Sequence, residues 1–181
     1  RFIGELTITM SISSPRTTSA FVVLWTPPSR CASPSITTGA KNPGIATDAV
    51  TVRRLDEVRS LLRDPQATGP DHLYTIYMDI HVPGRVEALR SLGLGYGAVV
   101  TNHGSLGGEA LRSQGHVHSA PEATGVAYSE IYEFWHGRGL VYMQDRATPD
   151  VKDVIVIEAG PGDKVVIPPG WAHATVNVGD G

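Results

Sequence analysis

Apolar and polar residues alternate along this chain with two different periods. Between Thr51 and Leu62, Leu55, Val58, Leu61 and Leu62 recur at helical spacing, which predicts a short amphipathic helix ending before Pro65. Leu73 to Ile80 and Ala98 to Thr101 are β-rich runs that predict two strands, the second followed by an Asn102-His103-Gly104 turn, with a helical turn over Glu87 to Leu92 between them. Further on, the period shortens throughout. Ile131 to Trp135, Gly139 to Met143, Asp153 to Ile157 and Lys164 to Ile167 are short β-rich segments separated by Gly- and Pro-bearing turns. Strands at such spacing, with no helix-length period among them, predict an all-β antiparallel sandwich or barrel, of jelly-roll type, with a short helix near its start.

The first part of the chain follows neither pattern. Ser, Thr and Pro supply 20 of the first 50 residues, a mixture that buries little apolar surface, so residues 1–48 are expected to form a disordered arm and the folded part to begin at residue 49. The chain opens on Arg1 rather than Met, which reads as a fragment or a misplaced start. Its 181 residues suit one domain with an attachment. A net charge of −3, with no Lys/Arg-rich run, argues against a nucleic-acid partner. The longest early apolar run, Ala20–Trp25, is far below the ~20 residues needed to span a bilayer and lacks a basic leader, so a soluble, cytoplasmic protein is expected. A single cysteine, Cys31, excludes an internal disulfide and a Cys-based zinc cluster, leaving His and carboxylates for any metal site.

Such a site is visible. In Gly115-His116-Val117-His118 the two histidines point to the same side if the segment is a strand, a ready chelate for a metal. Taken alone, an HxH pair is equally well read as two solvated histidines near a turn. Glu130, at the start of the next strand, and His173, in Pro168-Pro169-Gly170-Trp171-Ala172-His173, add two more donors. Three His and one Glu hold a divalent first-row ion while leaving positions open for water or substrate oxygens.

These residues resemble the cupin superfamily. Gly162, Pro168, Gly170, His173 and Asn177 fit its second motif without a gap. His116, His118, Glu130 and Gly137 fit the first, with two departures: Ala110 stands in place of the leading Gly, and eleven residues separate His118 from Glu130. Ser119 to Ser129 therefore reads as an inserted loop. Glu122 lies closer to the usual spacing but follows a Pro in that loop, and Glu130 is preferred because it opens a strand and keeps its distance to Gly137. Within the superfamily, from about Val50 onward, the chain is similar to the archaeal-type metal-dependent glucose-6-phosphate isomerases. The likeness rests on Val52-Arg53-Arg54-Leu55, Gly107-Gly108-Glu109, Ser113-Gln114-Gly115-His116-Val117-His118, Glu130-Ile131-Tyr132 and the segment Pro168 to Asn177.

That resemblance implies a cupin jelly-roll barrel over residues 49–181 and interconversion of glucose 6-phosphate and fructose 6-phosphate. It also implies one divalent ion, Fe2+ or Mn2+, on His116, His118, Glu130 and His173. Ser113 and the backbone of Gly115 would hold the substrate phosphate, and Tyr132 would lie at the sugar. Thr101 is a further phosphate candidate, because the family's Thr on that strand falls at Val99 and Thr101 faces the same way. The family continues past the position of Gly181 with further strands and further Tyr and His residues, so a C-terminally incomplete barrel is expected, one that binds metal without full activity. A homodimer is expected as well.

Aldose–ketose conversion needs a base near C1 and C2, a Lewis acid at O1 and O2, and a clamp for a distant phosphate. Glu130 suits the base of an enediol route, while a hydride shift between the carbons is the competing mechanism. Two other functions share the metal set: a cupin dioxygenase with a three-His-one-Glu iron site, and a non-catalytic sugar-binding cupin. His72, His81, His103 and His136 read as loop or surface histidines, Arg53 and Arg54 as a solvated helix face, and Arg112 and Arg138 as strand-edge charges. Trp135, Tyr142 and Trp171 read as core or rim aromatics.

Overall fold

The computed structural model describes residues 5–12, 46–122 and 124–179, and they are mostly strand. In chain order, β1 is Glu5–Ile12, β2 Ala49–Arg54, α1 Leu55–Val58, followed by a 3-10 turn over Arg59–Leu61. Then come β3 His72–Met78, α2 Val86–Ser91, β4 Leu94–Thr101, and the short β5 Ser105–Leu106 and β6 Glu109–Ala110. The last five are β7 Ser129–His136, β8 Gly139–Gln144, β9 Val154–Ala159, β10 Lys164–Ile167 and β11 Ala172–Asn177. A six-stranded sheet runs β10-β7-β1-β4-β3-β2 and a three-stranded sheet runs β11-β8-β9, with every pairing antiparallel. The all-β expectation therefore holds at the level of class.

Three expectations are corrected. The helix foreseen from Thr51 is strand up to Arg54, and only Leu55–Val58 is α-helical. Thr51 and Val52 are β-branched and pair with Ile76 and Thr75 of β3, and this ladder outweighs the local helical period. Residues 5–12, assigned to a disordered arm, form a strand hydrogen-bonded to β4 on one side and β7 on the other. There the sequence alternates Leu6, Ile8, Met10 and Ile12 with Thr7, Thr9 and Ser11, a period of two that the overall Ser/Thr content conceals. The rest of the presumed arm up to residue 45, with Ala20–Trp25 and Cys31, lies outside the described residues. Finally, His116 and His118 are not on a continuous strand. Their segment meets β11 through isolated bridges, Arg112 to Val176 and His116 to His173.

Turn chemistry places the late strands. Gly160-Pro161-Gly162-Asp163 and Pro168-Pro169-Gly170-Trp171 each close with a bond from the fourth N–H to the first carbonyl, at 3.0 and 3.2 Å. Each has Pro second and Gly third, and the glycines have φ of 94° and 79°. A type II turn needs that positive φ at its third residue, so these glycines bracket β10 for a steric reason. Along β7, buried Glu130, Tyr132 and Phe134 alternate with more exposed neighbours, and Val165 and Ile167 of β10 pair beside them on the same face. Tyr132, Phe134, Val141, Met143, Ala159, Val165 and Ile167 make one core cluster; a second gathers Leu55, Val58, Leu73, Tyr74, Leu106 and Leu111 under the short helix.

Phe134 has no exposed surface and sits at the centre of the first cluster. Phe134→Ala is expected to lower the unfolding free energy by about 3–5 kcal/mol, measured by urea denaturation. A loss below about 1 kcal/mol would show that this cluster is not the core.

Candidate metal centre

Four side chains from three parts of the chain meet between the sheets. His116 and His118 come from the segment bridged to β11, Glu130 from β7, and His173 from β11. One ligand atom from each lies within 4.8 Å of every other. The imidazole centroids are separated by 4.3 Å for His116 and His173, 5.0 Å for His118 and His173, and 5.4 Å for His116 and His118. Glu130 and His173 are each only 2% exposed.

The second nitrogen of each ring explains the arrangement. His116 Nδ1 lies 3.2 Å from the Gln114 carbonyl, His118 Nδ1 3.1 Å from that of Tyr128, and His173 Nδ1 3.1 Å from that of Trp171. A carbonyl only accepts, so each Nδ1 carries the proton and each Nε2 keeps a lone pair. His116 is further biased towards this neutral form. Desolvation of its ring, and then the neighbouring His173, hold its pKa below the usual histidine range, against the opposing pull of its carbonyl partner and of Glu130.

The lone pairs converge on a carboxylate oxygen. Glu130 Oε2 is 2.9 Å from His173 Nε2 and 3.4 Å from His118 Nε2. Both Glu130 Oε2 and His173 Nε2 are buried without a hydrogen-bond partner. Two acceptors at such a distance repel unless a cation or a shared proton lies between them, and burying them unpaired is costly. Bonds of about 2.1 Å to one ion put neighbouring donors about 3 Å apart and opposite donors about 4.2 Å apart, so these residues fit a divalent ion. Three imidazoles and a carboxylate, with no thiolate, suit a first-row ion rather than a soft one. These four could therefore hold a metal.

The structure brings the four expected residues together, Glu130 among them, while Glu122 is an exposed loop residue outside the group. Tyr132 is buried beside it, its ring edge-on to His173 at 5.9 Å. Ser113 is held against β11, its N–H donating to the Thr175 carbonyl at 2.8 Å and its Oγ accepting from the Thr175 N–H at 3.0 Å. Gly115 lines a cleft of about 570 Å³ that also touches His116, His173, Arg112, Tyr142 and Gln144. Thr101 is buried at the end of β4, away from that cleft. His72, His81, His103 and His136 do not join the group; His72 pairs with Thr75 Oγ1 at 2.8 Å and His81 with the Asp79 carbonyl at 2.6 Å.

What sequence reading missed are the three carbonyls, which carry no side-chain signal. Two of them sit two residues before their histidine. The third, Tyr128, closes the inserted loop, whose own turn is fixed by the Gly125 N–H donating to the Pro121 carbonyl at 2.8 Å. The insertion thus orients a ligand.

The family described as "Glucose-6-phosphate isomerase (GPI)" matches residues 52–181. The chain is 30% identical over 137 residues to a protein of Thermococcus litoralis named glucose-6-phosphate isomerase, covering 72% of this chain and 64% of that one. It is 30% identical over 135 residues to the protein of that name from Thermococcus kodakarensis, covering 71% and 63%. With the one from Pyrococcus furiosus the identity is 34% over 87 residues, 48% and 41% of the two chains. The chain thus spans less than two thirds of the length of these relatives. No helix of the described residues is long and apolar enough to cross a membrane.

Addition of Mn2+ to the EDTA-stripped protein is expected to raise its melting temperature saturably, with about one ion bound per chain. A hundredfold excess of ion over its dissociation constant corresponds to about 2.7 kcal/mol of stabilisation. His173→Ala should abolish the rise. An undiminished rise in that variant would place the ion elsewhere.

Proposed function

The chain belongs to the glucose-6-phosphate isomerase family, and on that premise we propose that it interconverts glucose 6-phosphate and fructose 6-phosphate at this centre. The site would be a cupin jelly-roll site holding Fe2+ or Mn2+. The observation that carries the reading is the set of three histidine Nε2 lone pairs and one buried carboxylate, each imidazole fixed in tautomer by a backbone carbonyl. A divalent ion bound there supplies Lewis acidity to the O1/O2 pair of a sugar.

The chain's own groups account for the rest. Glu130 takes the proton from C2 of the aldose, leaving an enediolate, and returns it to C1 while one proton passes from O2 to O1, so that no proton is gained or lost overall. Tyr132, two residues on and on the same face of β7, walls the site beside His173 and holds the sugar. Ser113 keeps its hydroxyl proton free to donate, because its oxygen already accepts from β11. Ser113 and the Gly115 backbone are assigned to the phosphate. Neutral hydroxyl and N–H donors suffice for a dianion when several are aimed at it.

A coupled assay of fructose 6-phosphate conversion tests this. Turnover is expected only after Fe2+ or Mn2+ is restored to the stripped protein, and both His116→Ala and Glu130→Gln should reduce it by at least 100-fold. Turnover that survives in Glu130→Gln would remove Glu130 from the reaction. In D2O, the proton route predicts deuterium at C1 of the ketose re-isolated from the reaction. Complete retention of protium would assign a hydride shift instead.

A further inference from the structure

The sheet that carries Glu130 is continuous only through β1. Thr9 is opposite both Gly97 of β4 and Tyr132 of β7, Ser11 opposite both Gly95 and Glu130, and Ile12 opposite both Leu94 and Ser129. Both pairings are antiparallel, so β4 and β7 run parallel to each other, and no ladder joins them directly among the described residues. On its other side β7 is paired only over residues 130–133, with Lys164–Ile167 of β10, whereas β1 spans it from Ser129 to His136. Removing β1 would therefore divide the sheet into β10-β7 and β4-β3-β2.

That division bears on the metal centre. Without β1, the facing edges of β4 and β7 would stand two strand spacings apart, about 9.6 Å, each with a row of unpaired N–H and C=O groups. Closing the gap would carry β7 sideways by one spacing, about 4.8 Å. The donor atoms of His116, His118, Glu130 and His173 all lie within 4.8 Å of one another, and the three histidines sit on β11 and the segment bridged to it, apart from β7. A movement of that size would take Glu130 out of their reach. Tyr132, two residues along the same strand, would leave with it.

The chain's own connection does not hold β1 in place. The strand lies ahead of residues 52–181, the part that matches the family, and residues 13–45 separate it from Ala46. Fully extended at about 3.3 Å per residue, such a connection reaches about 110 Å. Main-chain pairing on both sides is what seats the strand.

We infer that the gap between β4 and β7 is a strand-acceptor slot, that Glu5–Ile12 of the same chain is its occupant, and that the metal centre forms only while this strand is seated. The inference rests on the metal centre and not on the isomerase reading. Metal and strand are linked, so each is held more tightly when the other is in place, by the same factor.

The full chain tests the slot by cross-linking. In a Cys31→Ser background, Leu6→Cys and Val100→Cys put thiols on two directly opposed residues, a separation that a disulfide spans. Oxidation is expected to close that bond within one chain, at monomer mass. A covalent dimer would mean that the strand comes from a second copy, and no disulfide would mean that the slot has another occupant; either overturns the inference. The linkage is tested in wild-type protein, by amide hydrogen exchange of residues 5–12 with EDTA and with saturating Mn2+. The metal should slow their exchange by about tenfold or more. Equal exchange with Mn2+ bound would make β1 structural only, and the inference fails. Ile8→Pro removes a donor from the middle of a central strand and is expected to weaken Mn2+ binding by about tenfold or more, with recovery on adding a synthetic peptide of residues 5–12. If that variant does not fold, the exchange experiment decides, since it needs no substitution. A wild-type chain that takes up no Mn2+ would sink the metal centre and the linkage together, while the disulfide still decides the slot. Turnover is read in none of these arms, so the isomerase reading can fail without this one, and this one without it.

Discussion

The constraint from which the site follows is the burial of a carboxylate oxygen against an imidazole nitrogen with no other partner for either. Glu130 Oε2 faces His173 Nε2 at 2.9 Å with neither atom otherwise satisfied. Such a contact is tolerated only where a cation or a shared proton lies between the two groups. Both are held by β-ladders. Glu130 is opposite Ile167 in the β7–β10 pairing, and His173 is opposite Met143 in the β11–β8 pairing. A slip of one residue in either ladder would turn the ligand to the far face of its sheet. The Pro-Gly turns on both sides of β10 pin that register, which is why the spacing from Gly162 to His173 is a chemical requirement as much as a packing one.

The ligand set was legible because it depends on spacing. Strand alternation, the two Pro-Gly turns and a histidine a fixed distance beyond the second turn all follow from residue type, and the structure puts His116, His118, Glu130 and His173 together. The corrections arise where long-range pairing competes with a local signal. Leu55, Val58, Leu61 and Leu62 have helical spacing, yet the ladder between β2 and β3 takes the residues just ahead of them and leaves the helix one turn of α and one of 3-10. The Leu6 to Ile12 alternation was equally readable, but the composition of the surrounding residues outweighed it. The HxH segment needed no regular strand. One bridge at His116 aligns it with β11, and carbonyls of Gln114 and Tyr128 orient the two rings.

Backbone groups were the least legible part. No side-chain pattern marks a carbonyl as the partner of a histidine Nδ1, or an amide as surplus to a ladder. Such groups appear only when each hydrogen bond is traced to its partner. Tyr74 belongs to the same category. In the sequence it is one apolar position of a β-rich run, and its buried ring does pack with Leu55 and Leu111 in the second core cluster. Its hydroxyl oxygen accepts the Gln114 N–H at 3.1 Å. One residue thus serves packing at one end and a backbone hydrogen bond at the other, as tyrosine often does.

The charge of the centre also limits how a phosphate can be held. Three imidazoles and one carboxylate make up the candidate centre, and desolvation holds the pKa of His116 below the usual histidine range. Arg112, the nearest candidate in the cleft, directs Nη2 to the Leu61 carbonyl at 2.7 Å. A guanidinium at the phosphate would compete electrostatically with a divalent ion for the shared carboxylate, over distances at which buried charges are poorly screened. Amide and hydroxyl dipoles avoid that competition, because they attract an anion at close range and their field falls off faster with distance. On the proposed reading, a cation on one side and neutral donors on the other would separate the two ends of a phosphosugar without placing two positive centres in one pocket.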